Sequence, residues 1–290
     1  MSRLLIRHVT HYTYEKPVAF GPHRLLLRPR DSHAVRIVEA TMSLSQPGAT
    51  RWFYDAGGNC VCAYTPQGTA RSLEIVSQLV IERFPAPLAP LPIADPHTAT
   101  PIVYASEDRR VLAPYIDPAS ADDGVLLSWL RGHSGGASEP AIDFLLRLNS
   151  AIHQELSYRG REAEGVQTPC QTLRLGCGTC RDFAWLMVEA LRRLGYAARF
   201  VTGYLYSASP SVRGAGATHA WCEVFLPDLG WTEFDPTNGL AESSDLIPVA
   251  MTRTPEQAAP VSGTILGDPG NSDLYVGVDV RLAGPALQRA

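Results

Sequence analysis

The 290-residue chain contains no apolar run near the roughly 18 to 20 residues that a membrane-spanning helix needs. Its start, Met1-Ser2-Arg3-Leu4-Leu5-Ile6-Arg7-His8, is charged within a few residues and lacks the apolar core of a secretory leader. It also lacks a basic excess: 25 Lys and Arg against 29 Asp and Glu leave a net charge of -4, with no polybasic or acidic tract, which argues against a nucleic-acid partner. There are no internal repeats and no low-complexity tract. Six cysteines (Cys60, Cys62, Cys170, Cys177, Cys180, Cys222) are too few for a disulfide framework in a chain of this length. These absences predict a soluble cytoplasmic protein with no membrane and no nucleic-acid partner, whose cysteines are buried thiols, metal ligands or a catalytic group. With 45% hydrophobic and 19% charged residues, a sizeable core is available.

The chain is long enough for one large domain or two ordinary ones. Residues 1–86 read as a β-rich N-terminal domain. His8–Tyr14 and Arg36–Met42 alternate, Leu73–Ile81 is β-branched and apolar, and Lys16-Pro17, Gly21-Pro22, Pro47-Gly48 and Gly57-Gly58-Asn59 punctuate the segment as turns. This pattern predicts an antiparallel, β-sandwich-like arrangement. Residues 87–137 read as a Pro-rich linker and connecting segment, with prolines at 85, 87, 90, 92, 96 and 101 around its start. Residues 138–250 carry helix and strand signals together, so the chain as a whole is α+β. A helix opens after Ser138-Glu139-Pro140 and runs through His153. A second begins at Cys180 or just after it. Phe183, Leu186, Met187, Ala190, Leu191 and Leu194 form its apolar stripe, Glu189, Arg192 and Arg193 lie off that stripe, and Gly195 ends it. Ala198–Tyr206 reads as a strand, and His219–Leu226 and Gly230–Asp235 as a hairpin. Residues 251–290 form a C-terminal extension that adds a strand at Leu274–Leu282.

A thiol, an imidazole and a carboxylate occur in that order at Cys180, His219 and Asp235. A cysteine nucleophile needs a base to take its proton and a third group to orient the base. Cys180 stands at a helix start, where unpaired amides and the positive end of the helix dipole favour an anion. The thiolate is the attacking form, and the Cys180 backbone N–H is a natural oxyanion donor. His219 begins a strand after a flexible Ser207–Ala217 stretch that is a candidate gate over the cleft, and Trp221 and Trp231 flank it in sequence. Asp235 ends the next strand before Pro236, where its carboxylate can hold one imidazole tautomer. His219 and Asp235 share a face if Leu226 pairs with Gly230, and fail to if Leu226 pairs with Trp231.

The run Gly178-Thr179-Cys180-Arg181-Asp182-Phe183-Ala184-Trp185-Leu186, followed by Leu191–Leu205, Thr218-His219-Ala220-Trp221 and Gly230–Gly239, resembles the bacterial transglutaminase-like superfamily. The start resembles the β-rich region that accompanies this core in bacteria, at His8-x-Thr10-x-Tyr12-x-Tyr14, Leu25–Arg30 and Asp55–Asn59, and Gly263–Leu282 looks like the usual extension. The resemblance implies a papain-like α+β core with Cys180 as nucleophile, His219 as base and then acid, and Asp235 as orienter. It implies a second oxyanion donor upstream of the nucleophile, for which Gln167 is best placed, ahead of Gln171 and Gln154. The calcium-binding segments of animal cross-linking enzymes are not recognisable, so neither calcium nor another cofactor is expected. Arg181 and Asp182 match the motif as well, with Asp182 expected to cap amides or pair with Arg181.

The function expected is thiol-dependent hydrolysis of peptide or amide bonds through a thioester, on a peptide or protein substrate carrying an amide or glutamine side chain. The alternative is γ-glutamyl transfer, with a non-catalytic binding module behind both. Cys177-Gly178-Thr179-Cys180 also reads as a redox Cys-x-x-Cys, or as a reversible disulfide that switches Cys180 off. Zinc held by four of Cys170, Cys177, Cys180, Cys222 and His219 is a further competitor. Cys60-Val61-Cys62 reads as structural.

Overall fold

The computed structural model describes residues 2–84, 102–133, 139–161, 165–206, 213, 216–227 and 229–283. The Pro-rich run 85–101 and most of the 207–217 stretch lie outside them. The architecture is α+β: among the described residues there are two antiparallel sheets, a two-stranded parallel pair and five α-helices. The first sheet contains β1 (Ser2–Leu25), β2 (Val35–Leu44), β3 (Gly48–Tyr54), β4 (Cys60–Pro66) and β5 (Thr69–Arg83), in the order β2-β5-β1-β4-β3.

The longest strand crosses two of the predicted turns. Lys16-Pro17 and Gly21-Pro22 interrupt β1 only as register shifts, between Thr13 and Val18 against β5 and between Phe20 and His23 further on. A proline removes one ladder donor, and a bulge absorbs the loss without ending the strand. Pro47-Gly48 and Gly57-Gly58-Asn59 do fall at strand ends. The sheet curls around its own apolar filling, which includes Tyr14, Val18, Phe20, Leu25, Tyr64, Leu73 and Ile75.

The connecting segment after residue 101 is not only a linker. It forms α1 (Ser106–Ile116) and α2 (Val125–Gly132), whose Leu112, Leu126 and Leu130 enter the main core. Next come α3 (Ala141–Glu155), β6 (Ser157–Tyr158), α4 (Pro169–Leu175), β7 (Cys177–Gly178) and α5 (Cys180–Arg193). The second sheet follows: β8 (Ala198–Leu205), β9 (His219–Leu226), β10 (Gly230–Asp235), β11 (Leu240–Ala241) and β12 (Leu246–Thr252), in the order β11-β10-β9-β8-β12.

Apart from the half-buried Arg181 and Arg193, helix α5 is buried along its length. Phe183, Ala184, Leu186, Met187, Val188, Ala190 and Leu191 are fully enclosed, and so are Glu189 and Arg192, expected to lie off the apolar stripe. These charges satisfy one another and the backbone. Glu189 accepts from Arg192 at 3.1 Å, from Arg193 at 2.9 Å, from the Ser120 hydroxyl at 2.6 Å and from the Ala119 amide at 3.0 Å. Charges taken out of water persist only with such pairing.

The C-terminal extension adds two strands, β13 (Val261–Leu266) and β14 (Ser272–Leu282), both paired with β1. Leu4, Ile6, Leu79 and Ile81 of the first sheet pack directly on Tyr204, Ile247 and Val249 of the second. Asn59 fastens the two sheets by donating to the Met251 carbonyl at 3.0 Å and accepting from its amide at 2.8 Å.

Candidate active site

Cys180 opens α5 after Thr179. The turn is pinned by Asp182, a fully buried carboxylate that accepts from the Thr179 amide (2.7 Å), the Thr179 hydroxyl (2.9 Å) and the Gln167 amide (2.7 Å). Its ion-pair partner is Arg161 at 2.9 Å, not the neighbouring Arg181 expected from sequence. Asp182 therefore ties together the start of the helix, the 165–168 loop and Arg161 in the segment after β6. Gly178 must be glycine here, because a Cβ would lie 2.8 Å from the Asp182 Cβ and 3.3 Å from Gln167 Oε1.

The hairpin register is Leu226 with Gly230 and Phe234 with Cys222, the alternative that puts His219 and Asp235 on one face. Their side chains meet: His219 Nε2 is 2.8 Å from Asp235 Oδ2. Asp235 Oδ1 accepts from the Thr237 amide at 2.9 Å, and Asn238 Nδ2 donates to Oδ2 at 2.8 Å. Burial opposes charge on His219, but the Asp235 carboxylate and the Cys180 sulfur outweigh it, raising the imidazole pKa to about 10. Burial likewise opposes charge on Asp235, yet His219, Asn238 and the Thr237 amide bring its pKa below the usual value. The other ring nitrogen, Nδ1, is buried, and apart from the Cys180 sulfur it has no hydrogen-bond partner.

Trp221 stacks on His219 with ring centroids 6.0 Å apart. Trp231 packs elsewhere, against Tyr115 and Phe225, with the Arg199 guanidinium 4.0 Å above it. Of the two tryptophans that flank His219 in sequence, only Trp221 lies against its ring.

Among the glutamines, Gln171 accepts the Thr168 amide in a capping box and Gln154 bonds Ser150 on the surface of α3. Gln167 stands beside Gly178, its Oε1 accepting from Thr172 at 3.0 Å. Asn238 was missed by sequence reasoning, although its place three residues after Asp235 was a readable cue.

All six cysteines are free. Among the described residues, the one group of three ligand-type side chains with atoms within 4.8 Å is Asp122, Asp123 and Cys170, which excludes Cys177, Cys180, Cys222 and His219. Asp122 is already engaged by the amides of Gly124, Leu126 and Leu127 as the cap of α2. No helix among the described residues is long and apolar enough to cross a membrane.

Residues 128–236 match the transglutaminase-like superfamily, and residues 4–82 match the bacterial transglutaminase-like N-terminal region. The chain belongs to this superfamily. An uncharacterized protein of Mycobacterium tuberculosis is 28% identical over 296 residues, covering 96% of this chain and 92% of that one. An uncharacterized protein of Mycobacterium leprae is 25% identical, covering 98% and 100%. A solved structure titled "Putative Cysteine Protease" from Cytophaga hutchinsonii superposes with a TM-score of 0.74 at 18% identity, over 99% of this chain and 92% of that one. That likeness is one of fold.

Proposed function

We propose that the protein is a thiol-dependent acyl-transfer enzyme that hydrolyses peptide or amide bonds. The observation that carries this reading is the asymmetry of His219: Nε2 is tied to a buried carboxylate, while the imidazole also interacts with the Cys180 sulfur and its Nδ1 is buried with no other partner.

The reaction follows from those roles. The Cys180 thiolate attacks the amide carbonyl carbon, and the carbonyl π electrons move to oxygen. The Cys180 backbone N–H and the Gln167 side-chain amide receive that oxyanion. The protonated His219 gives its proton to the leaving nitrogen, the C–N bond breaks, and a thioester remains on Cys180. Neutral His219 then takes a proton from water as the water oxygen attacks. Collapse releases the acid and restores the thiolate and imidazolium. Asp235 keeps the ring in one tautomer and orientation throughout.

A primary amine replacing water would give γ-glutamyl transfer. The burial of Cys180, His219 and Asp235 keeps that second outcome in view, because a dry site favours amine over water. Incubation with glutaminyl peptides, with and without a primary amine, separates them by mass spectrometry. Hydrolysis predicts backbone cleavage or ammonia release without amine incorporation. Loss of every product in Cys180→Ala ties the activity to the thiol. No turnover of any amide by the wild-type protein would favour a binding module instead.

A further inference from the structure

Buried polar atoms are normally paired, so a local cluster of unpaired ones marks a place where a polar ligand completes the structure. Three such atoms lie at residues tied to the site: Thr237 Oγ1 beside Asp235, Arg213 Nη1, and Arg161 Nε on the partner of Asp182. Arg213 is held at the site through its backbone. Its amide donates to Asn238 Oδ1 at 2.9 Å, its carbonyl accepts from Asn238 Nδ2 at 3.2 Å, and the same Nδ2 holds Asp235.

The charges do not balance locally. Asp182 is matched by Arg161 and Asp235 by His219. Arg181, the residue after the nucleophile, and Arg213 have no carboxylate partner among the described residues, although the chain as a whole carries -4. Tyr158 on β6 pairs with Gly178 on β7, two residues before Cys180. A guanidinium fork matches a carboxylate in geometry as well as charge.

We propose that Arg181, next to Cys180 in the first turn of α5, and Arg213, tied through Asn238 to Asp235, form an anion subsite, and that the substrate is an amide carrying a free carboxylate close to the scissile bond. The inference rests on the acyl-transfer reading above. It assigns the carboxylate, a peptide C-terminus or an acidic side chain, to the two unmatched arginines, and the amide carbonyl to Cys180.

The test compares two alkylating probes on the full chain. Iodoacetate is anionic and iodoacetamide neutral, and each loses iodide to the Cys180 thiolate. Rates at Cys180 are read by peptide mass spectrometry for wild type, Arg213→Gln, Arg181→Gln and Arg213→Lys. The iodoacetate-to-iodoacetamide rate ratio should fall on the order of tenfold in each glutamine variant. It should stay near the wild-type value in Arg213→Lys, and shrink in wild type at high salt. The His219 charge is common to all four proteins, so only the change in ratio counts. Should Arg213→Gln fail to fold, Arg181→Gln decides, since that side chain is partly exposed at the first turn of α5. Selective iodoacetamide reaction at Cys180 with an unchanged ratio in Arg181→Gln and in any folded Arg213→Gln overturns the subsite and leaves the acyl-transfer reading intact. No selective reaction at Cys180 overturns that reading itself.

Discussion

His219 Nε2 lies 2.8 Å from Asp235 Oδ2, and both side chains are closed to solvent. The pair makes stability depend on pH. The imidazole pKa rises from 6.5 to about 10 on folding, so its contribution is complete below pH 6.5 and is lost as the pH climbs through about 10. The Asp235 pKa is lowered from 3.8, so its contribution is present above that value and is lost as the pH falls through the depressed one. The melting temperature of the wild type should therefore drop between pH 7 and 10. Asp235→Asn, which removes the charge that raises His219, should flatten that slope. Parallel slopes in the two proteins would contradict the ion pair.

Gly203 sits opposite His219 in the β8–β9 ladder. A Cβ there would lie 2.1 Å from the Ile247 carbonyl oxygen and 2.8 Å from the Trp221 ring. Backbone cannot move aside cheaply, so Gly203→Ala should cost about 1 to 3 kcal/mol. Since Trp221 stacks on His219, the same change should slow alkylation of Cys180. Wild-type stability and reactivity in this variant would show that the sheet has more slack than its geometry implies.

The Glu189 carboxylate inside α5 is the acceptor for Arg192, Arg193 and Ser120. Glu189→Ala leaves the Arg192 guanidinium without a counter-charge in the core and Arg193 with only Asp122, 4.0 Å away. Urea unfolding should show a loss of about 3 kcal/mol or more. A loss under 1 kcal/mol would mean that water reaches this network.

All 11 residues of β14 pair with β1. Removing residues 272–290 would bare a long central strand of the first sheet, and an open edge invites pairing with another chain. Size-exclusion chromatography should show self-association of the shortened protein. A monomeric, fully folded product would refute this dependence.

What the sequence revealed was local. The hairpin from His219 to Asp235 was readable because alternation and Pro227-Asp228-Leu229 bound its two strands, and the start of α5 because glycines and apolar spacing mark it. Burial was harder to read. Glu189, Arg192 and Arg193 look like a solvated flank until α1, β8 and the Ala119–Ser120 turn close over them. Long-range pairing was not readable: β14 alternates visibly, but nothing in its residues names β1, more than 250 residues away, as its partner. The helix α4 was overlooked despite its Thr168-Pro169-x-Gln171 start, because seven residues give too short an apolar pattern. The proline pairs in β1 misled because a bulge and a turn share the same residue signals.

The proposed enzyme depends on His219 activating the Cys180 sulfur. The most direct measurement is the rate of iodoacetamide reaction at each of the six cysteines from pH 5 to 9, in wild type and in His219→Ala. Cys180 should react at least on the order of tenfold faster than the other five at neutral pH, and His219→Ala should remove this advantage. Equal, slow reaction of all six thiols in the wild type, or a Cys180 rate untouched by His219→Ala, would contradict it.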